Sequence, residues 1–293
     1  MSVANVHYPV LNKFVHADGV DVFYREVGDR SLPTLLLLHG YPTSSLQFRE
    51  LIPLLADKYH IIAPDFPSFG FTQVPASRNY VYTFDNLGKT LIAFVDELQL
   101  KKYALYIFDY GAPVGLRLAL AYPERVTGLV SQNGNAYEEG LGDAWAPIRA
   151  LWADPSPANR KIVHDNVLTF EGTRWQYTHG VPASKLERVG PEGYWLDTLL
   201  FERPGGKDIQ LDLCYDYQNN VKLYPEFQKF FHTTQAPLLI IWGKNDEFFI
   251  PAGAEAFKRD NPKAIVELLE TGHFALETDV EYIAQRIREV LDF

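Results

Sequence analysis

The stretch YALYIFDYGA, residues 103–112, decides the fold of this chain. Its first six residues form a short, continuous apolar run, which is typical of a strand buried on both faces of a parallel sheet. Asp109 follows this run directly, and the next residues lead into a predicted helix over residues 112–121. Because open α/β sheets place their sites at the carboxyl ends of strands, Asp109 is the first candidate functional residue.

The same strand-then-helix pattern continues on both sides of this stretch. Strand-like runs follow an N-terminal hairpin (residues 14–17 and 20–27) and lie at 34–38, 59–63, 103–108, 126–132, 238–242 and 264–269. Helical patterns lie at residues 44–56, 84–98, 112–121, 251–259 and 274–291. This alternation predicts right-handed crossovers, and therefore an α/β protein with a mostly parallel central sheet flanked by helices.

Residues 134–235 interrupt the alternation. This stretch is rich in aromatic and polar residues, and its short segments are typical of helices and loops. The strand-helix pattern resumes after it. We therefore predict a core domain made of residues 1–133 and 236–293, and an inserted, mainly helical cap domain of residues 134–235.

The composition excludes several classes of partner. The net charge of -10 argues against nucleic acid or an anionic membrane, because those partners need clustered Lys and Arg. Cys214 is the single cysteine, so no intrachain disulfide and no multi-thiolate metal site can form. Residues 1–10 lack the pattern of a signal peptide, and no apolar run reaches the roughly 20 residues of a membrane span. We expect a soluble, cytoplasmic protein, either a monomer or a homodimer.

Three further motifs stand at the ends of predicted strands or before the last helix. They are His39-Gly40-Tyr41-Pro42, Gly243-Lys244-Asn245-Asp246 and Thr271-Gly272-His273-Phe274. Together with Asp109 they give the chain order Asp, Asp, His. The parallel sheet would bring these motifs to one edge.

With these motifs the chain resembles the α/β-hydrolase superfamily, in which nucleophile, acid and histidine follow in this order. The resemblance covers nearly all of the chain outside the cap. It implies that Asp109 stands on a nucleophile elbow, a sharp bend that needs the small residues Gly111 and Ala112. Serine hydrolases carry Ser within Gly-x-Ser-x-Gly there, and Ile107 replaces the first Gly. This departure resembles the Asp-nucleophile branch, the epoxide hydrolases and haloalkane dehalogenases.

An aspartate nucleophile suits attack on a saturated carbon. It forms an ester that water can cleave, whereas a serine would form a stable ether. The resemblance implies that His273 activates the water and that Asp246 orients and stabilises the imidazole. Glu247 is adjacent to Asp246 and could take the same role. The resemblance also implies an oxyanion hole made of the backbone N–H groups of Tyr41 and Tyr110.

The leaving group decides which further residues are needed. An opening epoxide needs a proton donor such as a tyrosine hydroxyl, whereas a departing halide needs only N–H donors such as Trp indoles. Tyr110 stands where dehalogenases usually carry Trp, and Tyr41 where they often carry Asn, which favours the epoxide. Epoxide hydrolases hang two cap tyrosines over the nucleophile. We predict Tyr177 and Tyr217 for these roles, with Tyr215 as the alternative to Tyr217.

The remaining assignments concern the substrate pocket. His39, Pro42, Trp175 and Tyr215 are predicted to lie around it, with His39 supporting the oxyanion loop and not acting as a base. Trp175 keeps the dehalogenase alternative open, because a cap tryptophan could hold a halide. The other histidines form no spaced cluster, so we expect no metal and no cofactor. The aromatic cap predicts a small hydrophobic substrate that reacts with water.

Three hypotheses follow from the sequence. The first is an enzyme that opens epoxides to vicinal diols through a covalent ester on Asp109. The second is a haloalkane dehalogenase with the same Asp109, His273 and Asp246. The third is a ligand-binding protein without catalysis, against which the complete triad argues.

Overall fold

A computed structural model describes residues 8–292 as an α/β protein built on one eight-stranded sheet. Residues 1–7, most of the stretch in which no signal peptide is predicted, and Phe293 lie outside the described residues. The strands are β1 (Leu11–Ala17), β2 (Val20–Val27), β3 (Thr34–Leu38), β4 (His60–Pro64), β5 (Tyr103–Phe108), β6 (Val126–Gln132), β7 (Leu238–Gly243) and β8 (Ile265–Leu269).

The order of the strands places β5 near the middle of the sheet. That order is β1-β2-β4-β3-β5-β6-β7-β8. The pairs β1/β2 and β2/β4 are antiparallel, and every later pair in this order is parallel. The hairpin turn carries Asp18 and Gly19, both with positive φ, as a tight hairpin turn requires. The predicted mostly parallel sheet is therefore confirmed.

Eleven α-helices accompany the sheet within the described chain. They are α1 (Leu51–Leu55), α2 (Phe84–Glu97), α3 (Gly111–Ala121), α4 (Ala146–Ala153), α5 (Pro157–Asn166), α6 (Phe170–Thr178), α7 (Pro191–Phe201), α8 (Gly206–Asp216), α9 (Gln218–Thr233), α10 (Pro251–Asp260) and α11 (Ala275–Val290). Helices α4 to α9 lie between β6 and β7, in the stretch predicted as a cap. The division into a core and a cap domain stays a prediction.

Helices cover both faces of the sheet because its central strands are apolar on both sides. Leu36 and Leu38 of β3 pack in one apolar cluster, which also contains Leu87 of α2 and Leu116 of α3. Leu35 and Leu37 point to the opposite face, into a second cluster that contains Leu51 of α1 and Ile283 of α11. This alternation follows from the two-residue period of a strand. It leaves the carboxyl ends of the parallel strands as the place where polar side chains gather.

The helices of the described chain bear on membrane insertion. Within residues 8–292, none of them combines the length and the apolar character needed to cross a bilayer.

Candidate active site

Asp109 stands on a strained turn between β5 and α3. Its φ is +48°, in the left-handed region that L residues avoid at a cost of about 1–2 kcal/mol. Two residues later, a Cβ on Gly111 would collide with the backbone carbonyl oxygens of Leu38 and His39. The close approach of β3 and α3 therefore requires glycine at this position, and the turn lifts the Asp109 side chain above the end of the sheet.

The two carboxylate oxygens of Asp109 have different surroundings. Oδ1 accepts the backbone N–H of Tyr41 at 2.5 Å, and the backbone N–H of Tyr110 also hydrogen-bonds the carboxylate. Oδ2 lies 3.9 Å from Nε2 of His273. One oxygen is thus held by N–H donors, and the other is directed towards the histidine.

His273 is oriented by Asp246 at the opposite side of its ring. Nδ1 of His273 and Oδ2 of Asp246 are 2.6 Å apart. The carboxylate of Asp246 is fixed in turn by the backbone N–H of Phe248 at 2.8 Å and by the Asn133 amide, also at 2.8 Å. Nε2 of His273 is buried and has no hydrogen-bond partner among the described residues, so it is free to accept a proton from a bound water or substrate.

Glu247 does not compete for His273. Its carboxylate pairs with Nε2 of His179 at 2.7 Å, and its side chain is 57% exposed. Asp246 and Glu247 therefore point to opposite sides of this turn. Asp246 is the buried one of the two, and it contacts His273.

Burial and neighbouring charges shift the pKa values of Asp109 and His273, which face each other. Burial raises the pKa of Asp109 to about 6, although the charge of His273 and the N–H groups of Tyr41 and Tyr110 oppose this shift. Burial disfavours protonation of His273, but the charge and hydrogen bond of Asp246 outweigh burial and raise the pKa of His273. Both pKa values are thus shifted upward, and perturbed pKa values of facing groups are typical of acid-base sites.

His39 and Pro42 do not form the wall of the site, which corrects their assignment to the substrate pocket. Nε2 of His39 accepts the backbone N–H of Phe66 at 3.0 Å, and Nδ1 donates to the carbonyl oxygen of Gly40 at 3.0 Å. Burial lowers the pKa of His39 to about 4, so the ring stays neutral. His39 supports the loop that carries the Tyr41 N–H, as the sequence also suggested.

A narrow inner cavity lies beside Asp109. The centre of a water-sized sphere can occupy a volume of about 20 Å³ in this cavity. This volume is room for about one water molecule. The residues that line the inner cavity are Tyr41, Asp109, Tyr110, Trp145, Ile148, Val167, Gln176, Cys214 and Phe248. A reacting group at Asp109 would therefore meet a mostly apolar wall with a few polar side chains.

A wider outer groove adjoins this cavity. It has a volume of about 400 Å³ by the same measure. Its own wall contains Asn166, Glu171, Trp175 and Glu247, and it shares Val167, Gln176 and Phe248 with the inner cavity. The three shared residues separate the site from the outside.

The predicted cap tyrosines do not line the inner cavity. The Tyr177 hydroxyl donates to Oδ2 of Asp197 at 2.5 Å, and its ring stacks on Phe274 at 3.8 Å between centroids. The Tyr217 hydroxyl pairs with that of Tyr224 at 3.2 Å. Tyr215, the alternative to Tyr217, is also absent from the cavity wall. None of the three tyrosines thus lines the inner cavity, and their contact with a substrate stays a prediction.

Two tyrosines from outside residues 134–235 line the cavity instead. Tyr41 and Tyr110 both line it, with ring centroids 5.9 Å apart. The Tyr41 hydroxyl donates to the carbonyl oxygen of Val167 at 3.4 Å, which is long for such a bond. The Tyr110 hydroxyl lies 3.5 Å from Sγ of Cys214. Both hydroxyls are held weakly and could turn to a substrate.

Three of the five tryptophan indoles are already bonded to backbone oxygens and so are not available to a leaving halide. The N–H groups of Trp145, Trp152 and Trp242 donate to backbone carbonyl oxygens at 3.0, 2.8 and 2.6 Å. Trp175 lies in the outer groove, where its ring stacks on His179, and not in the inner cavity where its pocket role was predicted. Trp195 is 60% exposed.

Sequence reasoning missed two polar residues of the site. Asn133 follows β6 directly, so the rule that selected Asp109 at the end of β5 could have found it as well. Gln176 is the neighbour of the predicted Tyr177 on α6. Nothing in the sequence distinguishes Gln176 from Tyr177 as the residue that faces the site. Neighbouring helical residues point about 100° apart, and only packing decides which of them faces the site.

Comparisons with known proteins agree with this fold. A family model of the alpha/beta hydrolase fold matches residues 33–280. The uncharacterized hydrolase YNR064C of Saccharomyces cerevisiae is 52% identical over 273 residues, which cover 92% of this chain and 93% of that protein. A haloalkane dehalogenase of Psychrobacter cryohalolentis is 36% identical over 113 residues, 38% of this chain and 37% of that protein.

The fold has a close counterpart among solved structures. The haloalkane dehalogenase DbeA of Bradyrhizobium elkani superimposes with a TM-score of 0.75 at 22% identity, covering 97% of this chain and 98% of that one. At this identity the likeness concerns the fold alone. Because the family model spans most of the chain and the described sheet and elbow agree with it, this chain belongs to the α/β-hydrolase family.

Proposed function

We propose that this protein hydrolyses small epoxides to vicinal diols through a covalent ester on Asp109. The observation that carries the proposal is the asymmetry of the Asp109 carboxylate. Oδ1 is held by the N–H of Tyr41 at 2.5 Å, and Oδ2 lies 3.9 Å from the unpaired Nε2 of His273. A carboxylate arranged in this way can attack through one oxygen and place negative charge on the other.

In the first half of the reaction Oδ2 of Asp109 attacks a carbon of the epoxide ring. The new C–O bond forms as the ring C–O bond breaks, and the electron pair goes to the ring oxygen. The Tyr41 hydroxyl, with Tyr110 beside it, gives this oxygen a proton, which leaves a phenolate and a hydroxyalkyl ester of Asp109. A phenolate is ordinarily a weaker base than an alkoxide, which supports this transfer, whereas burial raises the pKa of Tyr41 well above its usual value and opposes it.

In the second half a water molecule attacks the ester carbonyl carbon, Cγ of Asp109. His273 takes a proton from the water, and the negative charge of the tetrahedral intermediate falls on Oδ1 between the N–H groups of Tyr41 and Tyr110. The intermediate expels the diol oxygen, which receives the proton from His273. The proton left on the Asp109 carboxyl returns to the phenolate, so that one epoxide and one water give one diol.

The hydroxyls in the inner cavity favour an epoxide over a halide. Tyr41 and Tyr110 offer protons that an opening ring needs, whereas the indole N–H groups of Trp145 and Trp152 are bonded to backbone oxygens. Dehalogenation stays the second candidate because a haloalkane dehalogenase is among the sequence relatives. The mostly apolar wall supports a mostly hydrophobic substrate.

A direct test compares two substrates of four carbons, 1,2-epoxybutane and 1-bromobutane, with the unmodified enzyme. We expect butane-1,2-diol from the first, measured by gas chromatography, and bromide release from the second that is slower by at least about 10-fold. Asp143→Asn is a suitable control, because Asp143 is exposed. Bromide release without diol formation would contradict the proposal and favour the dehalogenase.

Replacing Tyr41 with Phe should slow ester formation from 1,2-epoxybutane by about 100-fold or more, since a general acid is lost. The backbone N–H at this position remains, so the hole for Oδ1 stays intact. We expect a change of less than about 5-fold for Tyr177→Phe, because its hydroxyl is held by Asp197. The measurement is a single-turnover time course by intact-protein mass spectrometry. Equal losses in both variants would remove Tyr41 from the proposed role.

The rates of ester formation and ester hydrolysis should depend on pH in different ranges. Ester formation needs the Asp109 carboxylate, whose pKa burial raises to about 6, so its rate should rise through about pH 6 and then level. Ester hydrolysis needs neutral His273, whose pKa lies above its usual value, so its rate should rise at higher pH. Quenched-flow measurement of both steps between pH 5 and 9 checks this order. The order would be contradicted if the rate of ester hydrolysis became constant at a lower pH than the rate of ester formation.

A further inference from the structure

Gln176 occupies the boundary between the inner cavity and the outer groove. It lies on α6 of the cap, its side chain belongs to the walls of both spaces, and the residue is only 4% exposed. Gln176 is therefore one of three residues, with Val167 and Phe248, that lie between the groove and the cavity at Asp109.

The Gln176 amide has no hydrogen-bond partner in the described part of the chain, whereas its neighbour Tyr177 is bonded to Asp197. The amide atoms are not among the fully buried polar atoms that lack a partner, so they are accessible from the spaces that Gln176 lines. An amide that lines a cavity without a protein partner can hydrogen-bond a ligand there. The side chains of Ile148 and Val167 offer that ligand no hydrogen bond. The hydroxyls of Tyr41 and Tyr110 in the same wall are assigned to the ring oxygen in the proposed reaction.

The chemistry of the amide limits the ligand that fits it. A primary amide both donates and accepts hydrogen bonds but does not give up a proton, so Gln176 can bind a substrate and cannot act as its acid. A hydroxyl group also donates and accepts, so one hydroxyl can satisfy the amide. Anionic groups are disfavoured, because Asp109 lies on one side of Gln176 and Glu171 and Glu247 lie on the other.

We propose that Gln176 binds a neutral hydroxyl substituent next to the reacting ring, so that the site selects small hydroxylated epoxides over alkyl epoxides of the same size. This inference rests on the proposed epoxide hydrolysis and names its substrate class. Gln176 is then a specificity residue, because the ring reacts at Asp109 while the substituent extends towards the groove.

The test uses glycidol and 1,2-epoxybutane, which differ by a hydroxyl in place of a methyl group. The unmodified enzyme should have the higher kcat/KM for glycidol. Gln176→Met keeps the length of the side chain and removes its polar atoms, and it should lower kcat/KM for glycidol by at least about 10-fold. The same variant should change kcat/KM for 1,2-epoxybutane by less than about 3-fold. Arg174→Met is the matched control, because Arg174 is exposed on the same helix, and it should leave both values unchanged.

The outcomes separate the two proposals. Equal values of kcat/KM for the two epoxides in the unmodified enzyme, or an equal loss on both in Gln176→Met, would overturn the role of Gln176 while epoxide hydrolysis stands. Failure of the unmodified enzyme to form diol from either epoxide overturns the proposed function and this inference with it. The melting temperature of Gln176→Met should change little, since Met has a similar length and no hydrogen bond within the described chain is lost, and this measurement shows that the variant is folded.

Discussion

Replacing Asp109 with Asn should abolish epoxide turnover and at the same time raise the stability of the fold at pH 8. The amide keeps the shape of the side chain and tolerates the left-handed backbone as well as Asp does. It cannot form the ester, so we expect kcat to fall by at least about 10⁴-fold. Diol formation is the measurement, with intact mass used to verify that the Asn has not hydrolysed to Asp.

The gain in stability follows from the pKa of Asp109. Folding raises this pKa from 3.8 to about 6, so the folded state binds the proton more tightly. The carboxyl therefore stabilises the fold at low pH, and this contribution is lost as the pH rises from 3.8 through about 6. By linkage the ionised carboxylate costs about 3 kcal/mol above that range. A neutral Asn avoids this cost.

Thermal denaturation at two pH values separates this effect from ordinary repacking. The melting temperature of Asp109→Asn should exceed that of the unmodified protein by more at pH 8 than at pH 5. The exposed control Asp143→Asn should show a much smaller difference, because its carboxylate is solvated in both states. A stability difference that is the same at both pH values would contradict the assigned cause.

Replacing His273 with Gln should leave ester formation largely intact and stop its hydrolysis. Oδ2 of Asp109 needs no base to attack the ring, whereas the water of the second step loses the group that takes its proton. We expect the hydrolysis rate to fall by about 10³-fold, so that the ester accumulates. Intact-protein mass spectrometry after incubation with 1,2-epoxybutane should then show the enzyme plus one substrate, and peptide mapping should locate the added mass on Asp109.

The control for this experiment is His232→Gln, because His232 is exposed and lies outside the site. That variant should turn over normally and carry no added mass. If His273→Gln formed the diol at the unmodified rate, the two-step mechanism would be excluded. If the mass were added at another residue, Asp109 would lose its assignment as nucleophile.

The sequence alone determined the fold and the acid-base groups of the candidate site. A buried strand has a visible end, and the first polar residue after it lies at the edge where the parallel strands finish together. Asp109 after β5, Asp246 after β7 and His273 before α11 could be selected for this reason. The strand order is enough to bring these three residues together. The strand-helix alternation in the sequence already restricts the possible strand orders.

The tertiary structure alone decided which cap and loop side chains reach Asp109. A shift of one residue along α6 turns a side chain by about 100°, so Gln176 faces the cavity and Tyr177 turns to Asp197. Whether an indole or a hydroxyl is available depends on whether a backbone oxygen from a distant part of the chain already binds it. Packing between distant parts of the chain brings these partners together. Local patterns of residues in the sequence do not show which distant residues will pack against each other.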